Sequence, residues 1–373
     1  LSNKTIALYI HIPWCVKKCP YCDFNSHTTD AIPFDQYFKA LTADLKQYEE
    51  LLTTRQLSSI FIGGGTPSLI PAQYYRQLFD SIEAMGLAIK QCEITIEMNP
   101  GTIDNHHLKD YRTIGINRLS VGVQSFDDLA LQQIGRIHSS GDAIKTMELA
   151  QQYGFDNCNI DLMYGLPSQT MQQCLADIDT ACNLPITHLS WYHLTIEPNT
   201  IFYSLPPQLP TDDLQDQMYL EGCEWIAAKG FNRYEISAYS KPTKQCTHNL
   251  NYWQYGDYLG IGAGAHSKLT TQGCVQRFAK SRQPKRYMAN IKAVSTHFVK
   301  AEELILDMML NCMRLTAGFA LDRLSRYSGV PLAKLKNQLQ PLVANGFLTV
   351  IDDNNYCPTA KGIDFQNEAL QLL

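Results

Sequence analysis

Residues 6–24, IALYIHIPWCVKKCPYCDF, set a β-branched run directly ahead of three closely spaced cysteines, Cys15, Cys19 and Cys22. A strand that empties into a loop of thiols takes its meaning from the rest of the chain. Five further runs of the same kind come after IALYIHI (6–12): SSIFIG (58–63), EITIEM (93–98), NRLSVGV (117–123), DNCNIDLMY (156–164) and THLSWYHL (187–194). Between them, FDQYFKALTADLKQYEELL, AQYYRQLFDSIEAM, IDNHHLKDYRTIG, GDAIKTMELAQQYG and MQQCLADIDTACN space their apolar residues as helices do. Six βα units in a row predict an α/β fold with a parallel sheet and right-handed crossovers. Eight units close a barrel, so six predict an open, partial TIM-like (β/α)6 barrel over residues 1–240.

The remainder reads differently. Residues 195–300 are rich in Pro, Tyr and Gly, with one helix at DDLQDQMYLEGCEWIAAKG, and 241–300 is expected to elaborate the barrel. Residues 301–373 read as three helices and a hairpin, FLTVI-DDNN-YCPTAKG, the order of a small winged-helix-like α+β domain. That segment carries six Lys/Arg against eight Asp/Glu, and the whole chain of 373 residues has a net charge of −5, so nucleic acid is not an expected partner. No run of about 18 apolar residues occurs, and the opening LSNKTIALYIHIPW lacks the pattern of a signal peptide. A soluble, cytoplasmic chain is expected. The nine other cysteines are scattered, as small buried hydrophobes of a reducing compartment are.

Three readings compete for the cysteine loop. A glutaredoxin-like pair would use Cys19 and Cys22 and leave Cys15 without a purpose. A structural zinc site closes with four ligands, and the fourth would be His11 or His27. An iron–sulfur cube accepts three thiolates at close spacing and leaves one iron open.

The loop lies at the carboxyl end of the first strand, where α/β folds build their sites, so a pocket there would draw polar residues from the later strand ends. They recur: Gly63-Gly64-Gly65-Thr66-Pro67 after the second strand, Glu97 on the third, Gln124 on the fourth and Asp161 on the fifth. Missing side chains in the glycine run let a ligand approach the backbone. Taken singly, a strand-end carboxylate is more often a helix cap; three polar residues at equivalent positions in consecutive units favour one pocket.

C-x3-C-x2-C after the first strand, GGGTP after the second, GVQSF and DLMYGLP together resemble the radical S-adenosylmethionine (SAM) family. The resemblance implies a [4Fe–4S] cluster on Cys15, Cys19 and Cys22 whose open iron chelates SAM, and one-electron cleavage of SAM to a 5′-deoxyadenosyl radical. It assigns Gly64, Gly65, Thr66, Glu97, Gln124, Arg136 and Asp161 to SAM, with Tyr9 and Tyr21 flanking the cluster. No residue is assigned as catalytic.

Within that family the chain resembles the group holding oxygen-independent coproporphyrinogen III dehydrogenase and the HemW-type haem chaperones. Phe24 stands where the dehydrogenase motif continues to a fourth cysteine, and only eight residues precede Tyr9 where the dehydrogenase carries an extension. His248-Asn249-Leu250-Asn251-Tyr252-Trp253 matches the chaperones' HNxxYW motif. The resemblance therefore implies a chaperone that binds haem and delivers it to haemoproteins, with oxidative decarboxylation of coproporphyrinogen III as the alternative and a zinc-stabilised binding protein as the third reading. His248, Tyr252 and Trp253 are the haem candidates by motif, with His266 and His193 as rivals; by residue type alone, His248 reads as a satisfied core histidine. The run Arg277, Lys280, Arg282, Lys285 and Arg286 suits haem propionates, an acidic partner or anionic lipid, and by default a solvated loop. Haem, acceptor haemoproteins, a second copy of the chain and a membrane surface are the expected partners.

Overall fold

The computed structural model describes residues 5–101 and 105–373. Six parallel strands run in order: β1 (Thr5–Ile12), β2 (Gln56–Gly64), β3 (Glu93–Met98), β4 (Arg118–Gln124), β5 (Cys158–Tyr164) and β6 (His188–His193). Helices Phe34–Lys46, Ala72–Ala84, Asn105–Thr113, Ser140–Gln152 and Met171–Asn183 fill the crossovers. Residues Ile103 and Asp104, read as the start of the third helix, lie outside the described residues. Local chemistry sets the helix starts. Ser139 with Asp142, and Thr170 with Gln173, form reciprocal capping boxes that satisfy end N–H groups the helix itself leaves unpaired. Ile10, Ile62, Ile96, Val121, Ile160 and Leu189, one from each strand, are fully buried. This shared core aligns the strand ends: Ile12 pairs with Gly64, Glu97 with Ser120, Gly122 with Asp161 and Tyr164 with His193.

Residues 195–300 contribute six more strands to the same sheet, two of them ahead of the 241–300 segment expected to elaborate the barrel. They are β7 (Asn232–Glu235), β8 (Ala238–Ser240), β9 (Asp257–Ile261), β10 (His266–Thr271), β11 (Cys274–Lys280) and β12 (Val294–Phe298), giving the order β12-β11-β10-β9-β1-β2-β3-β4-β5-β6-β8-β7. β9 joins β1 in parallel, so the open barrel carries a seventh parallel strand. Short strands broken by glycine and tyrosine give little alternation, which is why periodicity alone does not find them. The last segment packs five helices, the longer Leu304–Cys312, Leu321–Ser328 and Leu332–Ala344 and the short Ala360–Asp364 and Gln366–Leu370, with a small sheet of β13 (Phe319–Ala320), β14 (Leu348–Val350) and β15 (Asn355–Pro358). Buried Lys268 fastens it to the barrel, with Nζ 3.1 Å from Asp257 and 3.3 Å from the carbonyl of Tyr327. Among the described residues, no helix is long and apolar enough to cross a membrane.

Candidate functional site

The cysteine loop is pinned at both ends: the Cys15 N–H donates to the His27 carbonyl (3.0 Å) and the His27 N–H to that of Pro13 (2.7 Å). The loop is thereby held over the carboxyl ends of the strands, and Cys15, Cys19 and Cys22 line one cavity of about 320 Å³. Burial raises the thiols of Cys15 and Cys22 above their ordinary range, so their ionisation requires positive charge in the site. Arg136 supplies one such charge, with Nη1 3.7 Å from the Cys19 sulfur. His11 is already committed: its Nε2–H donates to the Asn25 carbonyl (2.9 Å), Tyr9 hydroxyl meets its Nδ1 (3.0 Å), and burial lowers its pKa to about 4. His27 points Nε2 at the Arg282 carbonyl and the Asn25 amide oxygen, 3.3 Å each. Among the described residues no three His, Cys, Asp or Glu side chains converge as a single metal ion needs. A cube takes each thiolate on a different iron, so thiols that face one cavity without meeting at a point fit a cluster.

The strand ends close the same cavity. Gly64 has φ +118°, and a Cβ there would lie 2.5 Å from the His11 ring; a Cβ on Gly65 would lie 2.5 Å from the Trp14 carbonyl oxygen. Only glycine fits at either position. The freed Gly64 N–H donates to Glu97 Oε2 at 2.9 Å. Burial outweighs that bond and, helped by the nearby Asp161 charge, pushes Glu97 up to about 7. Asp161 is raised for the same first reason, although Asn159 donates to its Oδ1 at 2.8 Å. Gln124 adopts φ 75°, a left-handed backbone unusual for its type, and its Oε1 accepts from Tyr192 at 2.7 Å. Arg136 bonds the Gly122 carbonyl through Nη2, while its buried Nε–H has no partner among the described residues. Two buried carboxylates short of positive charge and a guanidinium N–H short of an acceptor suit a ligand that carries an ammonium, hydroxyls and a carboxylate together, which SAM does.

Thr66 and Tyr21 line this cavity, whereas Tyr9 lines a second one of about 950 Å³. The two cavities share Asp23, Phe24, Gly64 and Glu97 as a common wall. The haem candidates divide between several places. His248 is 1% exposed, its Nδ1 2.9 Å from Ser59 Oγ and its Nε2 3.1 Å from the Tyr252 hydroxyl, so both ring nitrogens are used inside the protein. Trp253 packs toward the C-terminal domain beneath the Arg314 guanidinium, 4.3 Å above its ring. Tyr252 and His266 line the second cavity. His193 lines the cysteine cavity, and its buried Nε2 has no partner among the described residues.

The basic run divides: Arg282, Lys285 and Arg286 are exposed, the last two on the helix Pro284–Ala289, whereas Lys280 and Arg277 are paired. Lys280 is buried against Asp44, and Arg277 bonds Asp307 at 2.9 Å. Arg282 lies exposed on the wall of the second cavity. Tyr192, Asn159 and Ser120 also escaped the sequence reading, although Asn159 and Ser120 sit in line with the strand-end positions and hold Asp161. Their alternation with the buried apolar residues on β4 and β5 was the available signal.

Residues 9–181 match the radical SAM superfamily and residues 299–365 match the HemN C-terminal domain. The protein described as heme chaperone HemW of Escherichia coli is 42% identical over 98% of this chain and 97% of its own length. The proteins of the same description from Haemophilus influenzae and Bacillus subtilis are 41% and 35% identical, over 98% and 92% of this chain and 97% and 92% of their own lengths. Among solved structures, coproporphyrinogen III oxidase (HemN) from Escherichia coli shares the fold, with a TM-score of 0.81 and 23% identity, covering 100% of this chain and 90% of that one.

Proposed function

The chain belongs to the HemW family of radical SAM proteins, and from that premise we propose that it binds haem in the cytoplasm and hands it to haemoproteins, holding a [4Fe–4S] cluster on Cys15, Cys19 and Cys22 with SAM beside it. One observation carries the cofactor half of this reading: three thiols, a glycine cradle and two buried carboxylates share one cavity. Bound there, the cluster and SAM supply one-electron chemistry. In this reading the chain's own part is positional. Glu97 and Asp161 receive the ligand's positive charge and hydroxyls, the Gly64–Gly65 backbone lies along it, and the free Nε–H of Arg136 meets its carboxylate. Tyr192 locks Gln124 in place from behind. Phe24, where the decarboxylases of this group keep a cysteine, favours carriage over coproporphyrinogen chemistry.

Anaerobic reconstitution should yield iron and sulfide at about four each per chain; zinc in their place overturns the cluster assignment. The same preparation should take up hemin and release it to an apo-haemoprotein. Conversion of coproporphyrinogen III to protoporphyrinogen IX with SAM and a reductant would replace the carrier by a decarboxylase.

A further inference from the structure

The second cavity, about 950 Å³, lies near the top of the range of ordinary small-molecule pockets, roughly 300–1,000 Å³. Tyr9, Phe24, Tyr252 and Tyr258 give its walls aromatic faces, and Asp23 and Glu97 lie on the wall it shares with the cysteine cavity. Tyr252 and Tyr258 meet edge to face at 4.4 Å, their hydroxyls tied back to His248 and Arg277, and Phe24, 61% exposed, stands on the wall shared with the cluster cavity. At its edge is His266, the first residue of β10, exposed and with no hydrogen bond to its ring among the described residues. The turn that presents it requires glycine: Gly264 has φ +82°, and a Cβ there would lie 2.3 Å from the Asn25 side chain. Asn25 in turn donates to the carbonyls of Ala263 (2.9 Å) and Arg282 (3.0 Å), so a residue three past Cys22 holds this turn in register. The Arg282 side chain lines the same cavity and makes no salt bridge among the described residues.

We propose that this cavity seats the haem, with His266 as axial ligand to the iron and Arg282 paired to a propionate. The inference rests on the haem-carrier reading and adds to it the place of the cargo. A flat, apolar macrocycle with two carboxylates and an open axial position needs aromatic walls, a cation and an unprotonated nitrogen, and the cavity offers all three. An imidazole of ordinary pKa, about 6.5, is mostly neutral near pH 7, which leaves a nitrogen lone pair available. The motif histidine does not compete, since both nitrogens of His248 are bonded and its ring stacks on Phe61 at 5.0 Å. His193 faces the smaller cavity that the cysteines occupy. Haem so placed would share a wall with the cluster, and Asn25 would be a positioning residue between them.

Titration of the full-length, cluster-loaded chain with hemin, followed by its Soret band and ferric EPR, tests this. His266→Ala should weaken hemin binding by about tenfold or more and abolish the imidazole-ligand spectrum, which added free imidazole should restore. Arg282→Ala should weaken hemin but not hemin dimethyl ester. His248→Ala should keep the wild-type hemin spectrum. An unchanged affinity and spectrum in His266→Ala, or loss of the imidazole signature in His248→Ala with its circular dichroism intact, overturns the assignment and leaves the carrier reading standing. Failure of the unaltered chain to take up hemin removes the carrier reading and this site with it.

Discussion

The two cavities that meet at Phe24 are built by different means. The smaller takes its walls in sequence order from the ends of consecutive parallel strands: Gly64 and Gly65, then Glu97, then Gln124, then Asp161. The larger draws on segments far apart in the chain, with Tyr9 and Phe24 from the start, Tyr252 and His266 from the middle, and Val294 from the edge strand β12. Both include Asp23 and Glu97 on their common wall; the second adds the aromatic faces of Tyr9, Tyr252 and Tyr258, with exposed Arg282 beside them. A parallel sheet repeats one geometry at each strand end, so it concentrates polar groups at one face without further arrangement. The aromatic cavity exists only because β9 and its neighbours extend that sheet past β1.

If the two cavities divide cofactor from cargo, substitutions should separate them. The largest effect is expected from Cys15→Ser, which should abolish cluster assembly, read as loss of iron and sulfide, while hemin uptake persists and transfer to an acceptor fails. Next comes Arg136→Lys. It loses the fork that reaches both Cys19 and Gly122, and charge-assisted bonds of this kind contribute about 1.5–3 kcal/mol, so SAM affinity by calorimetry should fall about ten- to a hundredfold. Hemin affinity should not follow it.

A pH profile comes third. Glu97 stands near 7 in the free chain, and a cationic ligand must lower that value, so binding below pH 7 releases a proton. SAM affinity should therefore rise by up to about tenfold per pH unit as pH approaches 7 and flatten above it; Glu97→Gln should remove the slope. The sign for folding is opposite. A carboxyl raised from 4.5 to about 7 binds its proton more tightly folded than unfolded, so its contribution to stability declines as pH rises through that window. The smallest effect is expected from Phe24→Ala. An exposed side chain outside the core should change urea stability by less than about 0.5 kcal/mol, yet its removal from the shared wall should lower hemin affinity a few-fold. Loss of cluster stability instead would assign Phe24 to the cofactor side alone.

The HNxxYW stretch shows why residue types and geometry must be read together. As sequence it offers a histidine and two aromatics to a porphyrin. In the fold it is the helix Thr247–Trp253, whose backbone N–H at His248 donates to Glu93 (3.2 Å), whose Asn251 bonds the Asp257 carbonyl (3.0 Å) and whose Trp253 packs toward the C-terminal domain. Of the motif's residues, Tyr252 lines the second cavity. In this structure both ring nitrogens of His248 are hydrogen-bonded inside the protein, and the motif joins barrel to domain.

The sheet and the cysteine cavity were legible because both derive from order along the chain: six β-branched runs, helical spacing in the segments between them, and a polar or glycine residue closing each of several strands. Alternation and proximity in sequence were enough to place Cys15, Cys19, Cys22, Gly65, Glu97, Gln124 and Asp161 at one face. What lay beyond reach was whatever depends on strands that meet from opposite ends of the chain. Parallel pairing of β9 with β1 is set by burial and by contacts such as Arg55 with Asp257, not by any local pattern. Only that pairing brings His266 and Arg282 into one cavity with Phe24, and only the packed interior decides that His248 spends both nitrogens on Ser59 and Tyr252. Residue order determined the chemistry of the first cavity; tertiary packing decided the second, because its walls become neighbours only when distant strands share a sheet.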